Sequence, residues 1–130
     1  NKKVLPSHLF DNFADSEPLK LPAHIYKATK SYLSNKELKK IQLAYTFAFH
    51  AHEGQTRKDG TPYISHPVAV SNILLELKMD VDSICAALMH DVLEDCDVPK
   101  SNLVKIFGAD VANIVDGVSK LSNLNITDRL

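Results

Sequence analysis

Within the six residues His90-Asp91-Val92-Leu93-Glu94-Asp95 stand one imidazole and three carboxylates, and His66-Pro67 adds a second imidazole upstream. Read as a helix, residues four apart share a face, so His90 lies under Glu94 and Asp91 under Asp95. Like charges at that spacing repel, each pair costing about a few tenths of a kcal/mol. A cation turns that repulsion into binding energy, and imidazole plus carboxylate suits manganese, iron or zinc rather than calcium. Such an ion lowers the pKa of water toward neutrality and polarises a phosphorus centre, so the chemistry indicated is metal-dependent phosphohydrolysis. His66, His90 and Asp91 are the candidate ligands. Glu94 and Asp95 are candidates for proton transfer, because a carboxylate among like charges has a raised pKa. An isolated His-Asp pair is common on helix surfaces; its weight here comes from the surrounding acids, the upstream histidine and a basic pair, Arg57-Lys58.

For these residues to act together, the chain must bring them to one place. Apolar periodicity predicts helices over Leu21 to Leu33, from the Ser34 cap to Gly54, over 67–78, over 82–95, from Pro99 to Phe107, and onward from Asp110. Ser34 with Glu37 forms a capping box, and Gly54 and Gly108 end helices. Helix 67–78 is expected to turn Val70, Ile73, Leu74 and Leu77 inward; helix 82–95 does so with Ile84, Ala87, Leu88 and Asp91. A link of a few residues around Asp80 makes these two helices antiparallel neighbours. His66 and Glu94 each lie fourteen residues from Asp80, so they stand at one level. His90 and Asp91 fall about 5–6 Å below it. The loop 55–65, turned at Asp59-Gly60, enters that same end and carries Arg57, Lys58 and Tyr63 to the site mouth. There Arg57 and Lys58 can neutralise phosphate oxygens, the arginine also stacking on a base. A solvated basic pair and a packing tyrosine are the bland alternatives for these three.

Other histidines carry less. His50 and His52 are two apart on one helix and cannot jointly grip an ion, so His52 is assigned to packing or helix-end capping. His8 and His24 have no acidic or histidine company, and Lys36 to Lys40 reads as a solvated face.

The chain bounds these readings. Its 130 residues with 45% hydrophobic content suit a single core. A net charge of −1 gives no reason to expect a nucleic-acid or membrane partner. Neither a membrane-spanning apolar run nor a secretory leader is present in these residues. Cys85 and Cys96 are too sparse for a disulfide framework, which implies reduced thiols in a cytoplasmic protein. No strand pattern competes, so the expected fold is all-α. Residues 1–20 are expected to form a loosely packed N-terminal arm and 21–130 the domain. A start at Asn1 and a stop at Leu130 read as a fragment.

The run from Ala51 through Asp59-Gly60, then Pro62-Tyr63-Ile64-Ser65-His66-Pro67, resembles the HD hydrolase domain of the RelA/SpoT family. Ala86-Ala87-Leu88-Met89-His90-Asp91-Val92-Leu93-Glu94-Asp95 continues the likeness, as do Phe107-Gly108 and Asp116 to Leu121, over roughly residues 36–124. The resemblance implies an HD-type helical bundle, a manganese ion, and hydrolysis of the 3′-diphosphate of (p)ppGpp to GDP or GTP plus pyrophosphate. It assigns His66, His90 and Asp91 to the metal, Glu94 and Asp95 to catalysis, and Arg57, Lys58 and Tyr63 to the nucleotide. It places the chain with hydrolase-competent members, since both the His90-Asp91 and the Glu94-Asp95 pairs are kept.

Asp59 stands where many members have serine. The family's remaining metal ligand lies on a later helix that has no counterpart up to Leu130, so the bundle is expected to be incomplete at its C-terminal end. Synthetase and regulatory domains are likewise absent from these residues, and uncovered apolar faces are expected to favour self-association. Hydrolysis of another nucleotide, or nucleotide sensing without turnover, are the competing readings.

Overall fold

A computed structural model describes residues 2–11 and 13–129. Its elements are β1 (Lys3–Val4), α1 (Ala23–Lys30), α2 (Asn35–Ala51), α3 (Ser65–Glu76), α4 (Val81–Met89), α5 (Val92–Asp95), β2 (Cys96–Asp97), α6 (Lys100–Phe107) and α7 (Ala109–Arg129). The architecture is all-α apart from one two-residue parallel pairing, in which Lys3 faces Cys96 and Val4 faces Asp97. The expected incompleteness at the C-terminal end lies outside the described residues. Among the described residues no helix is long and apolar enough to cross a membrane.

Local signals set most boundaries. The Ser34 hydroxyl accepts from the Glu37 N–H and the Glu37 carboxylate accepts from the Ser34 N–H, the reciprocal box that the sequence predicts. Pro22 immediately precedes α1, so that helix is shorter at both ends than expected. Pro99 immediately precedes α6 and Gly108 ends it; Asp110 falls in the first turn of α7 and not at its cap.

α4 is the hub. All six residues from Ile84 to Met89 are buried, as expected of a helix that is apolar around most of its circumference. It packs against α2, α3 and α7. The short link between α3 and α4 forms a Schellman closure: Met79 N–H donates to the Leu74 carbonyl and Lys78 N–H to that of Leu75, both at 3.0 Å. Lys78 occupies the left-handed position at φ 55°, a conformation that costs a non-glycine residue about 1 kcal/mol. The closure reverses the chain in a few residues, leaving α3 and α4 as antiparallel neighbours.

Three expectations need correction. Helix 82–95 is interrupted at His90-Asp91, with only α5 beyond the break. α3 fully buries Pro67, Ser71 and Leu75; of the predicted stripe Leu74 packs half-buried against the core, whereas Ile73 and Leu77 are 58% and 67% exposed. Its apolar residues occupy more than one face, so periodicity alone does not choose among them; the small Ser71 marks the side that can approach its neighbours closely. Val70 and Leu74 line an open groove with Met79, Ala86 and Ile114.

The arm is also part of the core. Leu5, Leu9 and Phe13 are buried, and Phe13 meets Phe47 edge to face at 5.2 Å, as Phe107 does from the other side at 5.9 Å. Their four-residue spacing was the available signal. Leu9→Ala is therefore expected to destabilise the protein by about 2–5 kcal/mol in urea unfolding. A loosely held arm would give less than about 0.5 kcal/mol.

Candidate metal centre

The site grows from the end of α4. A continuing helix would offer the Ala87 carbonyl to the Asp91 N–H; here the His90 ring competes for it, with Nδ1 2.7 Å from that oxygen. The chain turns through His90 and Asp91 and resumes helical bonding when Asp95 N–H donates to the Asp91 carbonyl at 2.9 Å. This break sets His90 and Asp91 at the junction of two helices. His66 approaches from the first turn of α3, one residue earlier in that helix than expected.

The three side chains converge. One ligand atom from each of His66, His90 and Asp91 lies within 4.8 Å of the others. His90 Nε2 is 3.2 Å and His66 Nε2 3.8 Å from Asp91 Oδ2. Because His90 Nδ1–H is directed to the Ala87 carbonyl, a neutral ring turns its Nε2 lone pair toward the carboxylate. Burial, with a smaller contribution from the Arg57 charge, lowers the His66 pKa despite the opposing pull of Asp91. His66 is thereby kept neutral and able to donate a lone pair. Two imidazole nitrogens and a carboxylate oxygen, with one ring oriented by a backbone carbonyl, fit a divalent transition metal.

Tyr63 closes one side. Its hydroxyl donates to Asp91 Oδ2 at 2.8 Å. Burial and the Asp91 and Asp95 carboxylates hold the phenol far above its ordinary range, so it remains a donor. Glu94 and Asp95 are half-buried on α5. Burial, then the Asp91 and Asp95 charges, raise the Glu94 pKa, the direction expected for a carboxylate among carboxylates.

The loop after α2 forms a cleft of about 460 Å³ lined by Thr56, Arg57, Lys58, Asp59, Tyr63 and His66. The loop is tied by Arg57 N–H to the Thr61 carbonyl at 2.8 Å and turned at Gly60, φ 89°. Asp59 Oδ1 accepts from the Thr61 N–H and hydroxyl, which lowers its pKa. That carboxylate therefore helps hold the turn. The structure brings all eight sequence-derived candidates to this end of the molecule: His66, His90 and Asp91 in contact distance, Glu94 and Asp95 beside them, and Arg57, Lys58 and Tyr63 around the cleft. Sequence reasoning missed Thr56 on the cleft wall. It also missed Lys3, whose ammonium donates to the Glu53 carbonyl and joins the N-terminal arm to the end of α2.

The HD domain family model matches residues 44–129. The chain is 45% identical over 122 residues to the guanosine-3′,5′-bis(diphosphate) 3′-pyrophosphohydrolase of Vibrio cholerae, covering 94% of this chain and 16% of that protein. It is 47% identical over 100 residues to the bifunctional (p)ppGpp synthase/hydrolase SpoT of Escherichia coli K12, covering 77% and 14%. Against the GTP pyrophosphokinase of Myxococcus xanthus the figures are 42% over 99 residues, 76% and 13%. The chain thus spans about one-sixth or less of the length of these relatives.

If the convergent triad holds a divalent cation, His90→Ala should weaken binding by more than about 100-fold, beyond the loss typical of an outer hydrogen-bond partner. Calorimetric titration with Mn²⁺ and Co²⁺ measures this; unchanged affinity would remove His90 from the ligand set.

Proposed function

The chain belongs to the HD domain family, and we propose that it carries the hydrolase activity of an alarmone enzyme, releasing pyrophosphate from the 3′-position of (p)ppGpp. The observation that carries this reading is the junction of the His66–His90–Asp91 cluster with the cleft bearing Arg57 and Lys58. Similarity to relatives named for this hydrolysis extends along 94% of the chain. We assign manganese to His66, His90 and Asp91, where it would supply Lewis acidity at the phosphorus centre and ease deprotonation of water.

The residues then divide the work. Glu94 and Asp95 take a proton from the attacking water and return one to the departing 3′ oxygen as its bond to phosphorus breaks. The raised pKa of Glu94 suits it to that exchange. Arg57 and Lys58 neutralise phosphate oxygens, and the planar Arg57 guanidinium can also lie on guanine. Tyr63 keeps Asp91 oriented from the cleft side.

The GTP pyrophosphokinase of Myxococcus xanthus resembles this chain nearly as well, so overall similarity does not separate hydrolysis from synthesis. The retained metal-ligand set and the Glu94-Asp95 pair favour hydrolysis here. Two free, buried thiols, Cys85 and Cys96, are compatible with a cytoplasmic setting. The exposed Ile73 and Leu77 give self-association a surface. No feature of the site calls for a nucleic-acid or membrane partner.

Pyrophosphate release from ppGpp in manganese buffer tests the reading, with a chelator and His90→Ala each expected to abolish it. Glu94→Gln should lower kcat by about 10²- to 10⁴-fold while the protein still binds Mn²⁺. Loss of metal together with activity would instead make Glu94 a ligand, and no release from metal-loaded protein would move the substrate to another nucleotide or the domain to sensing. Arg57→Ala should act mainly on KM, raising it about tenfold or more, the loss expected for a charge-assisted contact; an unchanged KM returns Arg57 to a solvated loop.

A further inference from the structure

His52 and Gln55 flank Glu53-Gly54 at the exit from α2, and the reading above gives neither a task. His52 caps that helix and is 3% exposed. Its Nδ1 meets Gln55 Oε1 at 2.7 Å. Its ring lies on Tyr63, with centroids 4.7 Å apart and planes 34° from parallel. Nε2 is buried and has no hydrogen-bond partner among the described residues. A leucine or phenylalanine would fill such a place without burying a polar nitrogen, so packing alone is a poor reason for an imidazole here.

The surrounding backbone points to Tyr63. Gln55 N–H donates to the His52 carbonyl, and the Gln55 carbonyl accepts from Tyr63 N–H, both at 3.0 Å. Gly54, at φ 80°, supplies the turn that makes this possible. Tyr63 is therefore held twice, at its backbone by Gln55 and at its ring by His52. Its far end is the hydroxyl that donates to Asp91 Oδ2 at 2.8 Å. A site of this kind tolerates only about 0.5 Å and 10–20° of misplacement, and a phenol pivoting about Cβ would move its oxygen more than that.

We propose that His52 is a positioning residue of the metal centre: steadied by Gln55, it fixes the Tyr63 ring and, through the Tyr63 hydroxyl, the orientation of the Asp91 carboxylate. This rests on the functional reading above, in which Asp91 serves the metal. Unlike Tyr63 and His66, His52 does not line the cleft.

A double-mutant cycle read on Mn²⁺ affinity by calorimetry tests the assignment. His52→Leu should weaken binding about tenfold or more in the parent protein. In a Tyr63→Phe background it should cost less than about twofold, because the hydroxyl through which it acts is already gone. His52→Phe, which keeps an aromatic face on Tyr63 but loses the bond to Gln55, should recover only part of the loss. Equal losses in both backgrounds, or none in either, overturn the proposal, since a merely structural histidine would act independently of that hydroxyl. Should His52→Leu fail to fold, Gln55→Leu takes its place with the same expected and overturning results. Failure of the functional reading looks different: the unsubstituted protein would bind no Mn²⁺. The metal-free protein then decides through the ¹³C signal of the Asp91 side-chain carboxyl. A displacement by His52→Leu matching that caused by Tyr63→Phe supports the relay, and an unmoved signal overturns it.

Discussion

Everything at this end of the molecule turns on the Asp91 carboxylate. It is 8% exposed, and Tyr63 supplies its one donated side-chain hydrogen bond among the described residues. The same oxygen faces the Nε2 atoms of His66 and His90. A neutral His90 ring, its Nδ1–H on the Ala87 carbonyl, sets its Nε2 lone pair against that carboxylate oxygen, an arrangement that opposes folding. A positive charge between them reverses the sign, whether it is a proton on nitrogen or a metal ion. The geometry of the three side chains is thus one that a cation suits.

That geometry depends on how α4 is held. A helix buried along most of its length cannot rotate without moving α2, α3 and α7, so the residues at its end inherit its rigidity. The Schellman closure at Lys78 returns α3 alongside α4 and sets His66 beside His90 and Asp91. The ring of His90 then competes for a carbonyl of its own helix, and the chain turns at the point where Asp91 must face inward. Backbone interruption and metal-site geometry are one feature here, since the nitrogen that orients the ring is the one that disturbs the helix.

What could be read from the sequence was what short-range chemistry decides. The Ser34–Glu37 box, Pro99 and Gly108 mark boundaries by interactions within a few residues, and they appear where expected. The convergence of His66 with His90-Asp91 was also legible, because a link too short for any other path forces α3 and α4 together. Three features were not. The parallel pairing of Lys3-Val4 with Cys96-Asp97 joins residues more than ninety apart, and two residues carry no periodicity. The buried face of α3 is chosen by where Ser71 permits close approach. The end of α4 is decided by a ring-to-carbonyl bond that no propensity encodes. The task of His52 was hidden for a related reason: its partners Gln55 and Tyr63 come together only once the loop has closed.

The N-terminal arm gives the acidic pair its footing. A four-residue helix such as α5 cannot sustain itself, since most of its length is spent on nucleation. It is fixed at one end by α4 and by the burial of Val92, and at the other by β2, which follows Asp95 directly and is paired with β1. Lys3, in that strand, also reaches the Glu53 carbonyl at the end of α2, where the cleft loop begins. One strand of two residues therefore joins the element carrying Glu94 and Asp95 to the element that delivers Arg57, Lys58 and Tyr63. Relatives named a pyrophosphohydrolase, a synthase/hydrolase and a pyrophosphokinase resemble this chain to a similar degree. Their common identity is spread over the whole frame, whereas the chemistry is decided by the few side chains that this frame brings together.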